Sequence, residues 1–146
     1  MSDHERESGP DMLFGKLAIK AGYLSEEQVE ALLTEQEDES RAGAPITLGE
    51  LCQVRRLLTS VQVQSLLLAQ EFALLRNEDR RLGALAVANG LATGDDIQVA
   101  LDRQKQVYQR EKRLPMRLGE ALVEAGVLSQ RDLNGILAMQ ARVRTP

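Results

Sequence analysis

The chain has 146 residues, 43% hydrophobic and 27% charged, with a formal net charge of −4, which suits one soluble globular domain able to bury roughly two-thirds of its unfolded surface. Two Tyr, two Phe and no Trp exclude binding platforms built on ring stacking, and the negative balance argues against a DNA- or RNA-binding face. No apolar run reaches the length of a membrane span, the N-terminus is charged rather than signal-like, and the single Cys52 cannot form an internal disulfide. The expected location is a reducing cytoplasm, without membrane insertion.

Residues 1–11 are polar, carry Gly9-Pro10 and the lone His4, and read as a flexible leader; His4 is expected to be neither a metal ligand nor a base. A first helix should run from near Met12 to about Ala21. Ser25 with Gln28 then forms a capping box, and Val29, Leu32, Leu33 and Gln36 fall on one helical face. Residues 37–46, acidic and then ending in Gly43-Ala44-Pro45, read as a loop. Thr59 with Gln62 repeats the capping box, opening a long helix to about Arg76 that is expected to be the most buried. The NEDRR run at 77–81 reads as a solvated connector. Thr93 opens the next long helix, whose polar tail through Val107 and Tyr108 is expected to project beyond the core until Pro115 forbids continuation. Basic residues Arg110, Lys112, Arg113 and Arg117 gather there, interrupted by Glu111.

These segments are four copies of one unit. Its clearest form is Arg117-Leu118-Gly119, an apolar Leu122, Gly126, Ser129, then Leu133, Ile136, Leu137 and Gln140. The same skeleton reads Arg81-Leu82-Gly83, Ala86, Gly90, Thr93, Ile97, Ala100, Leu101 and Gln104. In the second copy it is Thr47-Leu48-Gly49, Cys52, Arg56 in place of the second glycine, Thr59, Val63, Leu66, Leu67 and Gln70. In the first it is Leu13-Phe14-Gly15, Ala18, Gly22, Ser25, Val29, Leu32, Leu33 and Gln36. The leading glycines recur every 34 to 36 residues, a period of stacked helical repeats. In the clearest copy a left-handed stop at Gly126, a hydrophobic closure and a fresh N-cap at Ser129 imply helix, tight turn, helix, and the second copy has lost that glycine. The expected fold is all-α: four tandem helix-turn-helix repeats, about 13–36, 47–70, 81–104 and 117–140, packed as a single bundle or short solenoid within one domain over 12–146. Cys52, at the position of Ala18, Ala86 and Leu122, reads as core filler.

Catalytic chemistry is not legible: the sequence shows no paired cysteines, no phosphate loop and no nucleophilic serine set among glycines. Asp95, Asp96 and Asp132 lie in first turns, where they complement the helix dipole. The chain is expected not to be an enzyme, and neither a metal nor an obligatory cofactor is expected.

The pattern from Arg81 to Gln104 and from Arg117 to Gln140 resembles the N-terminal domain of type II secretion and type IV pilus assembly ATPases, and with the two weaker copies the resemblance covers nearly all of 13–140. Some members of that family bind cyclic di-GMP between adjacent copies. The resemblance therefore implies a possible regulatory ligand site at Arg81, Leu82, Gly83, Gln104, Arg117, Leu118, Gly119 and Gln140. Leu13 and Thr47 occupy the arginine position of the first pair, so the implication stops at copies three and four. The spacer of 12 residues between Gln104 and Arg117 is longer than in the ligand-binding members, and the ATPase engine that usually follows is not among these 146 residues. Two functions follow as expectations: a non-catalytic bacterial regulatory or adaptor module docking a secretion, pilus, motility or signalling protein, or a cyclic di-GMP receptor built on copies three and four.

Overall fold

The computed structural model describes residues 10–144; the leader residues 1–9, His4 among them, lie outside the described residues. Those residues form seven α-helices and no strand: α1 Pro10–Lys20, α2 Glu26–Arg41, α3 Leu48–Val54, α4 Ser60–Ala88, α5 Gly94–Glu111, α6 Leu118–Glu124 and α7 Gln130–Arg144. The all-α class and the helix-turn-helix form of each copy agree with the repeat read from the sequence. One fusion changes the helix count: the second helix of copy two and the first of copy three are a single continuous α4.

That fusion corrects the expected connector at NEDRR. Nothing between Ser60 and Leu82 is Gly or Pro, so no local signal stops the helix. Leu75, Asp79, Leu82 and Ala86, spaced by three or four residues, form one buried face across the polar run. The expected loop at 37–46 is likewise shorter, because α2 continues to Arg41 before Gly43 takes a φ of 84°. Pro10 and Asp11 belong to α1 rather than to a leader. Burial of α4 is also one-sided: Val61, Leu67, Leu74 and Val87 are exposed.

The chain divides into two compact units, Met1–Gln70 and Glu71–Pro146, with the boundary inside α4. Where the sequence reading treats 12–146 as one domain, each unit holds two copies around its own core. In the first, Phe14, Leu33, Leu48, Leu51, Val63 and Leu66 pack together; in the second, Leu82, Ile97, Leu101, Leu118, Leu122, Leu133 and Ile136 do so. Cys52 is fully buried in the first core, and desolvation pushes its thiol up to about 11, which agrees with a filler rather than a reactive role.

The motif's first glycine is required by close approach. A Cβ on Gly15, Gly83 or Gly119 would stand 2.7, 2.8 and 2.4 Å from Val29 Cγ1, Ile97 Cγ2 and Leu133 Cδ1, and on Gly49 3.1 Å from Val63 Cγ1. The partner is the residue fourteen positions later in every copy, so the two helices of each hairpin touch at the same point. At the second glycine the chain turns left-handed: φ is 78°, 71° and 79° at Gly22, Gly90 and Gly126. The following N–H returns to the carbonyl of Ala18, Ala86 or Leu122 in a Schellman closure. Arg56 makes the same turn at φ 59°, its N–H bonded to Gln53 and the Leu57 N–H to Cys52. Copy two has lost the glycine but kept its conformation.

The capping boxes at Ser25/Gln28 and Thr59/Gln62 form in both directions, and Thr47/Glu50 and Thr93/Asp96 add two more. Among the described residues no helix is long and apolar enough to cross a membrane.

Candidate functional site

In the second unit α4 and α5 run side by side, and Asp79 lies on the buried face of α4 with 1% of its surface exposed. Three donors converge on its carboxylate. Gln104 Nε2 of α5 reaches Oδ2 at 2.8 Å, the backbone N–H of Leu118 reaches the same oxygen at 3.0 Å, and Arg117 Nε reaches Oδ1 at 3.0 Å. The Leu118 N–H belongs to the first turn of α6, whose N-cap residue Arg117 supplies no side-chain cap. Asp79 therefore caps α6 from another helix and places negative charge at its N-terminus.

Gln104 spends its second amide hydrogen on the Met116 carbonyl at 3.0 Å. Arg117 extends to Glu78 at 2.9 Å. Burial tends to lower the Arg117 pKa, but the hydrogen bonds and charges of Asp79 and Glu78 together hold it above its ordinary value. Gln140, at the end of copy four, donates to the Glu78 backbone carbonyl at 3.0 Å, so both motif glutamines of the second unit reach toward the same turn of α4.

The first unit repeats the arrangement without the arginine. Asp11 accepts from Gln36 Nε2 at 2.5 Å and from the Leu48 N–H at 3.2 Å, and Gln36 also donates to the Ile46 carbonyl at 2.9 Å. Asp11 and Asp79 both stand four residues before a leading glycine, and Pro45 and Pro115 hold that position in copies two and four. The copies therefore alternate: an odd copy supplies the aspartate and glutamine, and an even copy supplies the loop and helix start that they hold.

Of the sequence-predicted ligand residues, Gln104, Arg117 and Leu118 meet at Asp79, and Gln140 binds one residue away. Leu82, Leu118, Gly83 and Gly119 are buried; a Cβ on Gly83 would lie 3.3 Å from Leu118 Cδ2, so the starts of the two motifs are in contact. The long spacer does not hold them apart. It extends α5 two turns past Gln104 to Glu111, reverses at Lys112 with φ 55°, and brings Met116 back beside Gln104. Arg81 stands apart from this group: it is exposed and joins none of the ion pairs found among the described residues.

Two further features were not anticipated. The tail of α5 packs rather than projects: Tyr108 stacks on Phe72 of α4 with centroids 4.1 Å apart, and Arg76 sits 5.3 Å from the Phe72 centroid while donating to the Leu101 carbonyl at 2.8 Å. Beside it a groove of about 250 Å³ opens between α5 and α6, lined by Val99, Arg103, Gln104, Val107, Met116 and Ala121 among others. Gln104 Oε1 is buried without a hydrogen-bond partner, an omission that costs about 1–3 kcal/mol. Among the described residues no cluster of His, Cys, Asp or Glu could hold a metal ion.

Against family models, curated proteins and solved structures, the chain has no match.

Proposed function

We propose that this protein is a non-catalytic docking module, an adaptor that offers a helical surface to a protein partner of a bacterial secretion, pilus, motility or signalling system. The observation that carries the reading is the use already made of the motif's polar groups. Gln104 commits both amide hydrogens, and Arg117 commits Nε and one terminal nitrogen, to Asp79, Glu78 and the Met116 carbonyl. A nucleotide that needed them would first have to break a buried network. The apolar groove between α5 and α6 supplies a surface of the kind that partner side chains fill. The test is affinity capture from bacterial extract with the intact protein and with Val99→Phe, which obstructs the groove from an exposed position. The reading expects a partner retained by the former and lost from the latter. Failure to retain any protein reproducibly would count against it.

A second reading, a cyclic di-GMP receptor on copies three and four, is favoured by the contact of Gly83 with Leu118 and by the uncommitted Arg81. Calorimetry separates the two: a receptor gives micromolar or tighter binding, weakened tenfold or more, about 1.4 kcal/mol, by Arg81→Ala or Arg117→Ala. The docking reading gives no heat.

A further inference from the structure

We propose that the groove between α5 and α6 is closed in the free protein by a second molecule of this chain, the two α5 helices lying antiparallel about a two-fold axis. The inference goes beyond the docking reading, because it names what covers that surface until another protein displaces it.

Two of the residues lining the groove are charged: Asp96, in the first turn of α5, and Arg103, seven residues further on. They stand about 10 Å apart along the helix. Between them is Val99, 54% exposed, and Met116 on the other wall is 47% exposed. Arg103 is exposed and joins none of the ion pairs found among the described residues. Asp96 spends Oδ2 on the Thr93 N–H at 3.0 Å and has a second oxygen to offer.

The repeat does not require this pattern. At the position of Val99 the other copies have Ala31, Ser65 and Gly135, and copy one has Gln28 and Glu35 where copy three has Asp96 and Arg103. Glu35 is itself paired with Arg55. An exposed valine between an acid and a base is thus a property of this groove and not of the fold.

An occupant that satisfies the groove brings a base to Asp96, an acid to Arg103 and apolar surface between them. A helix running antiparallel to α5 must therefore carry first an acid and then, seven residues later, a base. That is the order in α5 itself. An axis midway between Val99 and Ala100 sets Asp96 of each molecule opposite Arg103 of the other and brings both Val99 side chains to the centre. Parallel helices would instead set acid against acid and base against base, which repel. Antiparallel packing also opposes the two helix dipoles. The contact uses the same patch on both molecules, so it closes at two chains and builds no filament.

Sedimentation velocity of the intact protein from micromolar to millimolar concentration provides the test, and should show a reversible monomer–dimer equilibrium with nothing larger. Asp96→Lys and Arg103→Glu should each weaken self-association at least tenfold. An equimolar mixture of the two variants should dimerise as the parent does, because their charges match only between unlike chains. Val99→Glu should also abolish the dimer, and with Arg103→Glu it keeps the test intact if Asp96→Lys, which gives up the Thr93 bond, fails to fold by circular dichroism. A monomer at every concentration, a dimer indifferent to these substitutions, or a mixture of folded variants that stays monomeric would overturn the proposal. A monomer that nevertheless loses a captured protein on Val99→Phe would give the groove to another partner and leave docking standing. A dimer with these charge effects that captures no protein would uphold the self-contact and count against docking.

Discussion

Replacing Asp79 with alanine removes an acceptor on which donors from both copies of the second unit converge. Three donors lose it, and they are not equal. The Leu118 N–H is buried at the start of a seven-residue helix with no side-chain cap of its own, so its loss costs about 1–3 kcal/mol. Gln104 Nε2 keeps the Met116 carbonyl and loses about 1 kcal/mol. Arg117 keeps Glu78 and has 46% of its side chain in solvent, so its share is small. The total is about 3 kcal/mol, at the low end for severing a buried ion pair, about 3–5 kcal/mol, because the cation can turn to water. Asp11→Ala takes the acceptor from the two equivalent donors, Gln36 Nε2 and the Leu48 N–H, at a half-buried site that has Thr47 where Arg117 stands, and should cost about half as much. Native-state amide exchange reads the units separately: Asp79→Ala should lower protection at Leu122 and Ile136 about a hundredfold, at about 1.4 kcal/mol per tenfold. A loss below about 1 kcal/mol, or a larger loss from Asp11→Ala, would refute the capping role.

Other substitutions test the turns, contacts and core. Arg56→Gly should raise stability by about 0.5–1 kcal/mol, since it relieves a left-handed arginine, while Gly126→Val should cost at least about 1 kcal/mol; equal melting of Gly126→Val and parent would disprove the turn. Gly83→Ala should cost about 1–3 kcal/mol by overpacking against the β-branched Ile97, and Gly49→Ala less, because its contact is 3.1 rather than 2.8 Å; thermal melts should rank them so. Cys52, raised by burial to about 11, should react with a thiol-directed disulfide reagent at pH 8 only as fast as the protein opens. Because the folded pKa lies above the unfolded one, this group's contribution to stability is intact below about pH 9 and is lost toward pH 11; rapid labelling of the native protein at pH 8 would contradict its burial.

Local chemistry made much of the fold readable. The glycine stops, the Ser and Thr caps and the apolar positions at helical spacing each specify a conformation within a few residues, and the structure places a hairpin at every copy. The junction at Asp79 was less readable because its meaning is not local: NEDRR has the polarity of a solvated connector, and only packing against α5 and α6 buries one of its five residues. A signal did exist in the alternation of Asp11, Pro45, Asp79 and Pro115, which pairs odd copies with even ones, and in the absence of any helix breaker between Ser60 and Leu82. The motif's arginine and glutamine could be located by spacing, but their partners could not, since Glu78 and Asp79 lie 38 or more residues from Arg117 and Gln140 except for the pair Gln104 and Asp79, at 25. The groove depends on where Met116 returns, which is set by the left-handed turn at Lys112, a residue with no preference for that conformation.

The central claim is that Gln104 and Arg117 serve the Asp79 network and are not offered to a nucleotide. Nitrogen-15 spectra of the Gln104 side-chain amide and Arg117 Nε–H, recorded while cyclic di-GMP is added to millimolar concentration, address it directly. The account predicts resonances protected from solvent exchange and unmoved throughout. Saturable shifts of both groups at micromolar nucleotide would contradict it.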